Sequence, residues 1–148
     1  MRRVTVLEGL AAAVLAGCGG PAGIEPSDFT GLPWSVTLTT RVDCGNGETG
    51  QVSTTGQVSF TASAAPGEIE TTSQAGCAFR LHVDGSTAAL ANSPVVCSTT
   101  SNGQAFEFSF ASYTATTADG HHLTIAAGET EDFGGTRCQL AISGTGTR

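Results

Sequence analysis

Four turn dipeptides constrain this chain more than any other feature: Asn46 with Gly47, Asp84 with Gly85, Asn102 with Gly103, and Asp119 with Gly120. Asn or Asp followed by Gly is the composition of a type I′ turn, which needs two successive residues at positive φ. Connections this short join only antiparallel neighbours, because a parallel pair needs a crossover of a dozen or more residues. Ala65, Pro66 and Gly67 mark one more turn.

Between the turns, apolar and polar side chains alternate at the period of a half-buried strand. Trp34, Val36, Leu38, Val42 and Cys44 share one face of the first segment, with Ser35, Thr37, Thr39, Arg41 and Asp43 on the other. The pattern recurs in Val58, Phe60 and Ala62, in Cys77, Phe79, Leu81 and Val83, in Phe106, Phe108 and Phe110, and in Cys138, Leu140 and Ile142. The spacing predicts an all-β antiparallel meander of about eight strands, at 34–44, 50–62, 67–73, 77–83, 86–91, 94–99, 104–117 and 121–128, with a last one at 136–145. A run of hairpins without a helical crossover leaves an up-and-down barrel or a β-sandwich. Closure abolishes strand edges, which favours the barrel for a sheet rich in Thr and Val.

The chain has 5 cysteines. Cys44, Cys77, Cys97 and Cys138 lie singly and far apart, without the C-x-x-C pairs of a zinc site, so two disulfides are expected in an oxidising compartment. Four cysteines permit three pairings. A closed meander makes the first and last strands neighbours, which favours Cys44 with Cys138 and leaves Cys77 with Cys97 to clamp the hairpin at Asp84 and Gly85.

Cys18 stands apart. It follows Met1, Arg2, Arg3 and an apolar run shortened by Glu8 to residues 9–16, too short to span a membrane as a helix. Leu15, Ala16, Gly17 and Cys18 resemble the lipobox of bacterial lipoproteins. The resemblance implies a signal peptide over residues 1–17, acylation of Cys18, and a mature protein held to a membrane by its acyl chains. Two or three chains suffice for stable anchoring. Gly19, where inner-membrane retention uses Asp, implies the outer membrane if the host is Gram-negative. Residues 18–31, rich in Gly and Pro, read as a flexible tether, with the β domain over 32–148. The segment from Cys77 to Cys97 resembles stretches of uncharacterised β-rich bacterial lipoproteins. Gly31, Leu32, Pro33 and Trp34 are similar to the Gly-x-Trp opening of lipocalins and avidins, one residue longer.

Charge narrows the partners. The chain has no lysine, its formal net charge is −7, and Glu8 alone of its 13 acidic residues precedes Cys18. A negative field of this kind repels phosphate backbones, so nucleic acid is not an expected partner.

Catalytic signatures are sparse. There is no G-x-S-x-G, S-x-x-K or H-E-x-x-H. His121 and His122 are adjacent on a strand and leave on opposite faces, and His82 alternates outward between Leu81 and Val83, so no metal-binding pair is expected. Glu129, Glu131 and Asp132 read as a solvated loop before Gly134 and Gly135, with calcium as the rival reading. Asp43 and Glu48 read as turn residues. Glu68 and Glu70 share one face of a short strand, where paired carboxylates usually meet water.

Trp34, Phe79, Phe106, Phe108 and Phe110 form the expected core, and the same residues are the candidate lining of a ligand pocket. A filled interior is the expectation at an aromatic content of 6%. The sequence therefore predicts a non-enzymatic cell-envelope lipoprotein without cofactor, a binding or structural module whose partner is an envelope protein or a small apolar ligand. A lipocalin-like carrier is the second reading and a small envelope hydrolase the third.

Overall fold

The computed structural model describes residues 23–148 apart from Asn102 and Gly134. Residues 1–17, expected to be a signal peptide, and Cys18, expected to be acylated, lie outside the described residues. A short 3-10 turn, Pro26–Asp28, precedes ten strands: β1 Trp34–Asp43, β2 Thr49–Val58, β3 Phe60–Ala62, β4 Glu68–Thr72, β5 Ala78–Asp84, β6 Thr87–Leu90, β7 Val95–Ser101, β8 Gln104–Thr116, β9 His122–Phe133 and β10 Thr136–Thr147. All pairings are antiparallel. The order β2-β1-β10-β9-β8-β6-β5-β4-β3 curls into a half-barrel, with β7 also paired to β8. Gly47, Gly85, Gly103 and Gly120 all sit at positive φ, as the turn dipeptides require.

The first and last strands are neighbours. β1 and β10 pair from Ser35 opposite Thr147 to Asp43 opposite Gln139, which brings the next residues, Cys44 and Cys138, together as a disulfide with a Cα–Cα distance of 3.9 Å. Cys77 bonds Cys97, tying the start of β5 to β7. Both expected pairings are thus present.

Several boundaries differ from the sequence reading, each for a tertiary reason. The strand expected over 50–62 breaks at Ser59, because β2 and β3 occupy opposite ends of the pairing path and the chain must pass from one to the other there. The Ser59 carbonyl accepts a hydrogen bond from Thr71 Oγ1 at 3.0 Å, and Phe60 turns into the core. β6 and β7 do not form a hairpin with each other; both run along β8, β6 beside Thr114–Thr116 and β7 beside Gln104–Phe110. Ser93 Oγ, between them, donates to the carbonyl of Ala111, where β8 bulges against β9.

Residues 24–31, expected to belong to the tether, are docked instead. Phe29 is fully buried and packs edge-on against Phe60, with ring centroids 6.2 Å apart. The Trp34 indole N–H donates to the Phe29 carbonyl at 2.9 Å. Arg148 donates to the carbonyls of Asp28, Thr30 and Gly120, and its guanidinium lies 4.2 Å from the Trp34 ring centroid. The described part of the β domain thus includes Ile24, which packs against the core.

β10 approaches β1 closely through two glycines. A Cβ at Gly144 would lie 2.2 Å from the Thr37 carbonyl oxygen and 2.6 Å from Leu38 Cδ2. Gly144→Ala is expected to push the strands apart and cost about 1–3 kcal/mol, as overpacking does. Gly50→Ala, with nothing within 4 Å of its added Cβ, is expected to stay within about 0.5 kcal/mol of the parent. Urea unfolding midpoints of the two variants check the contrast.

Candidate functional site: an acid pair in an aromatic half-barrel

The interior face is built by parity. Along β9, Leu123, Ile125 and Ala127 are buried, and the same face continues through Glu129 and Glu131. These two residues were expected in a loop. They lie in a strand because β9 is held on both sides, with Glu129 opposite Phe110 and Leu140, and Glu131 opposite Phe108 and Cys138. Asp132 points the other way, is exposed, and accepts a hydrogen bond from the Gly135 N–H at 2.9 Å. The three carboxylates are therefore divided between two faces, and the calcium loop is not assembled. Among the described residues no group of three or more His, Cys, Asp or Glu side chains is placed to hold a metal ion.

Side chains leave a cavity of about 320 Å³ inside the half-barrel. Phe79, Phe108, Phe110 and Tyr113 supply its aromatic wall, Leu38 and Ile125 its aliphatic wall, and Glu129 and Glu131 its acidic end. β2 and the turn after β4 supply the remaining side through Thr54, Gly56, Gln57 and Gln74, so the cavity lies along the seam the hydrogen-bonded path leaves open. The interior is thus not the filled core expected from the low aromatic content. A half-open sheet has fewer inward side chains than a closed one, and Gly56 contributes none. A broader groove on the outer face, along Arg41, Gln51, Thr130 and Gln139, opens directly to solvent.

Of the five expected lining residues, Phe79, Phe108 and Phe110 face the cavity. Trp34 is buried elsewhere, beneath Arg148, and Phe106 packs on Phe108 with centroids 6.1 Å apart without lining the cavity. Sequence reasoning missed Tyr113, Glu129 and Glu131. Tyr113 pairs with Ala127 beyond the β8 bulge, and the bulge shifts the alternation that Phe106, Phe108 and Phe110 had established. For the glutamates, a signal was present in the unbroken odd-numbered parity from Leu123 to Glu131.

Electrostatics follow from this placement. Partial burial, then repulsion from Glu131 and a hydrogen bond with it, pushes the Glu129 carboxyl up from 4.5 to about 7. Burial also raises Glu131, and its hydrogen bond with Glu129 works in the opposite direction. In weakly acid solution Glu129 is therefore the protonated member of this hydrogen bond. Burial raises the Tyr113 phenol far above its usual range. Its ring packs against Phe79 and Phe110, and its hydroxyl makes no hydrogen bond among the described residues.

A carboxyl whose pKa rises on folding binds its proton more tightly in the native state, so stability falls as pH rises from about 4.5 to about 7. Melting temperature is expected to decline across that window, and Glu129→Gln to flatten the decline. Asp119 acts at lower pH with the opposite sign. Hydrogen bonds from the His122 ring and then from the backbone N–H groups of His121 and His122 hold its carboxyl well below 3.8. Its contribution is present above that value and is lost as pH falls beneath it.

The other polar candidates stand apart from the cavity. His122 Nδ1 lies 2.6 Å from Asp119 Oδ2 on an exposed hairpin shoulder, and His121 is exposed beside it. His82 is exposed, as its alternation predicts. Glu68 pairs with Arg80 at 3.0 Å, and Glu70 accepts from Ser63 Oγ at 3.3 Å. Asp43 and Glu48 belong to the turn after β1, where Asp43 accepts from the Gly45 N–H and Glu48 from the Asn46 amide. No helix among the described residues is long and apolar enough to cross a membrane. No protein-family model, curated protein or solved structure matches this chain.

Proposed function

We propose that this protein is an exported, lipid-tethered binding protein that holds a small, mainly apolar ligand inside its half-barrel. The observation that carries this reading is the cavity of about 320 Å³, walled by Phe79, Phe108, Phe110 and Tyr113, within the size range of small-molecule sites. Two disulfides are compatible with an exported protein. The lipobox at residues 15–18 supports the tether, and intact-mass spectrometry of protein from its own host tests it through acyl mass on Cys18.

Titration with the neutral dye N-phenyl-1-naphthylamine tests the cavity. Saturable fluorescence enhancement is expected, and Gly56→Phe is expected to abolish it while leaving the melting temperature within a few degrees. Gly56 lines the cavity and a Cβ there meets only Gln74 Nε2 within 4 Å, at 3.8 Å, so a ring at this position is expected to occupy the cavity. No enhancement in the parent, or equal enhancement in the variant, overturns the carrier and leaves an envelope module that acts through its surface.

A further inference from the structure

The acidic end of the cavity selects a chemical class. Resting on the binding function proposed above, we propose that the ligand is a monoamine with an apolar ring or chain, its ammonium seated at the carboxylates of Glu129 and Glu131 beside Phe108 and Phe110. Each glutamate is the direct cross-strand neighbour of one phenylalanine, Glu129 of Phe110 and Glu131 of Phe108. Cross-strand pairs of this kind stand within reach of one another's side chains. A cation there meets carboxylate oxygens and aromatic faces together, and both attract it.

A further observation points the same way. None of the residues lining the cavity is Lys, Arg or His, and neither glutamate forms a salt bridge among the described residues. The groups that titrate around the cavity are Glu129, Glu131 and Tyr113 alone. Tyr113, whose ring packs against Phe79 and Phe110, adds a further aromatic face to the same cavity. A carboxylate ligand would meet two acids and no cation, and a hydrocarbon would leave the acid pair without a counter-charge.

Three probes of one shape test the proposal on the full mature chain by isothermal calorimetry at pH 7.5: 1-naphthylmethylamine, 1-naphthylmethanol and 1-naphthoate. The amine is expected to bind about tenfold or more tighter than the alcohol, as a charge-assisted contact replacing a neutral one implies. The naphthoate is expected to bind weakest. In Glu129→Gln/Glu131→Gln the amine is expected to fall to the alcohol's affinity while the alcohol is unchanged. Equal binding of amine and alcohol by the parent, or an amine preference that survives the double substitution, overturns the amine assignment and leaves the apolar carrier standing. Failure of all three probes overturns the carrier and the assignment together.

Discussion

Replacing Cys44 and Cys138 together by alanine is expected to lower unfolding stability by about 4 to 5 kcal/mol, the largest loss from any bond in the molecule. The bridge closes a sequence separation of 94 residues, against 20 for Cys77 and Cys97. In the chain-entropy account the longer loop contributes about 4.7 kcal/mol and the shorter about 3 kcal/mol, because cross-linking removes more freedom from the longer unfolded segment. A domain of this size has about 5–15 kcal/mol in all, so the first variant is left close to its unfolding threshold. Urea melts of the two double-alanine variants measure the difference, and a larger loss for Cys77 and Cys97 would contradict the ranking. The proposed ligand site adjoins the same bond. Cys138 faces Glu131 across the β9–β10 pair, so loosening this corner is expected to weaken dye binding even where the fold survives.

Trp34→Ala is expected to cost about 3–5 kcal/mol, the range for emptying a large aromatic site in a core. The side chain is fully buried, donates to the Phe29 carbonyl at 2.9 Å, and carries the Arg148 guanidinium on its face. Its removal takes away volume, a buried hydrogen bond and a cation–π contact at once. Residues 24–31 are held to the barrel largely through this cluster, so their amides are expected to lose protection from hydrogen exchange while β8 to β10 keep theirs. Trp34→Phe keeps most of the volume and loses the indole donor, and a cost of about 1–2 kcal/mol is expected. Uniform loss of protection across the sheet would show that Trp34 acts on global stability rather than as the clasp of this end.

The contrast between Trp34 and the phenylalanines shows where residue type was informative and where it was not. All five aromatic residues expected inside the barrel belong to its packed aromatic structure, yet only Phe79, Phe108 and Phe110 reach the cavity. Alternation says which face a side chain takes. It does not say how far the opposite wall stands, and a cavity is a statement about that distance. Phe29 was hidden for another reason: the Gly and Pro around it have the composition of a tether, and its burial depends on Trp34 and Arg148, one nearby in sequence and the other at residue 148. The acid pair was read as a loop because Gly128, Glu129, Glu131 and Asp132 have little intrinsic preference for strand. Ladder bonds from β8 and β10 override that preference.

By itself the sequence determined the all-β class, the antiparallel sense and most turn positions, and it favoured, without deciding, the two disulfide pairings that the structure shows. These depend on local rules: the period of two along a strand and the positive φ that Gly tolerates. Only the tertiary structure decided that the sheet stops at a half-barrel, that β6 and β7 share β8, and that Glu129 and Glu131 end up beside Phe110 and Phe108. Those outcomes depend on pairing between segments far apart in the chain, where the free energy of a side chain is set by the neighbour it meets and not by the residues beside it.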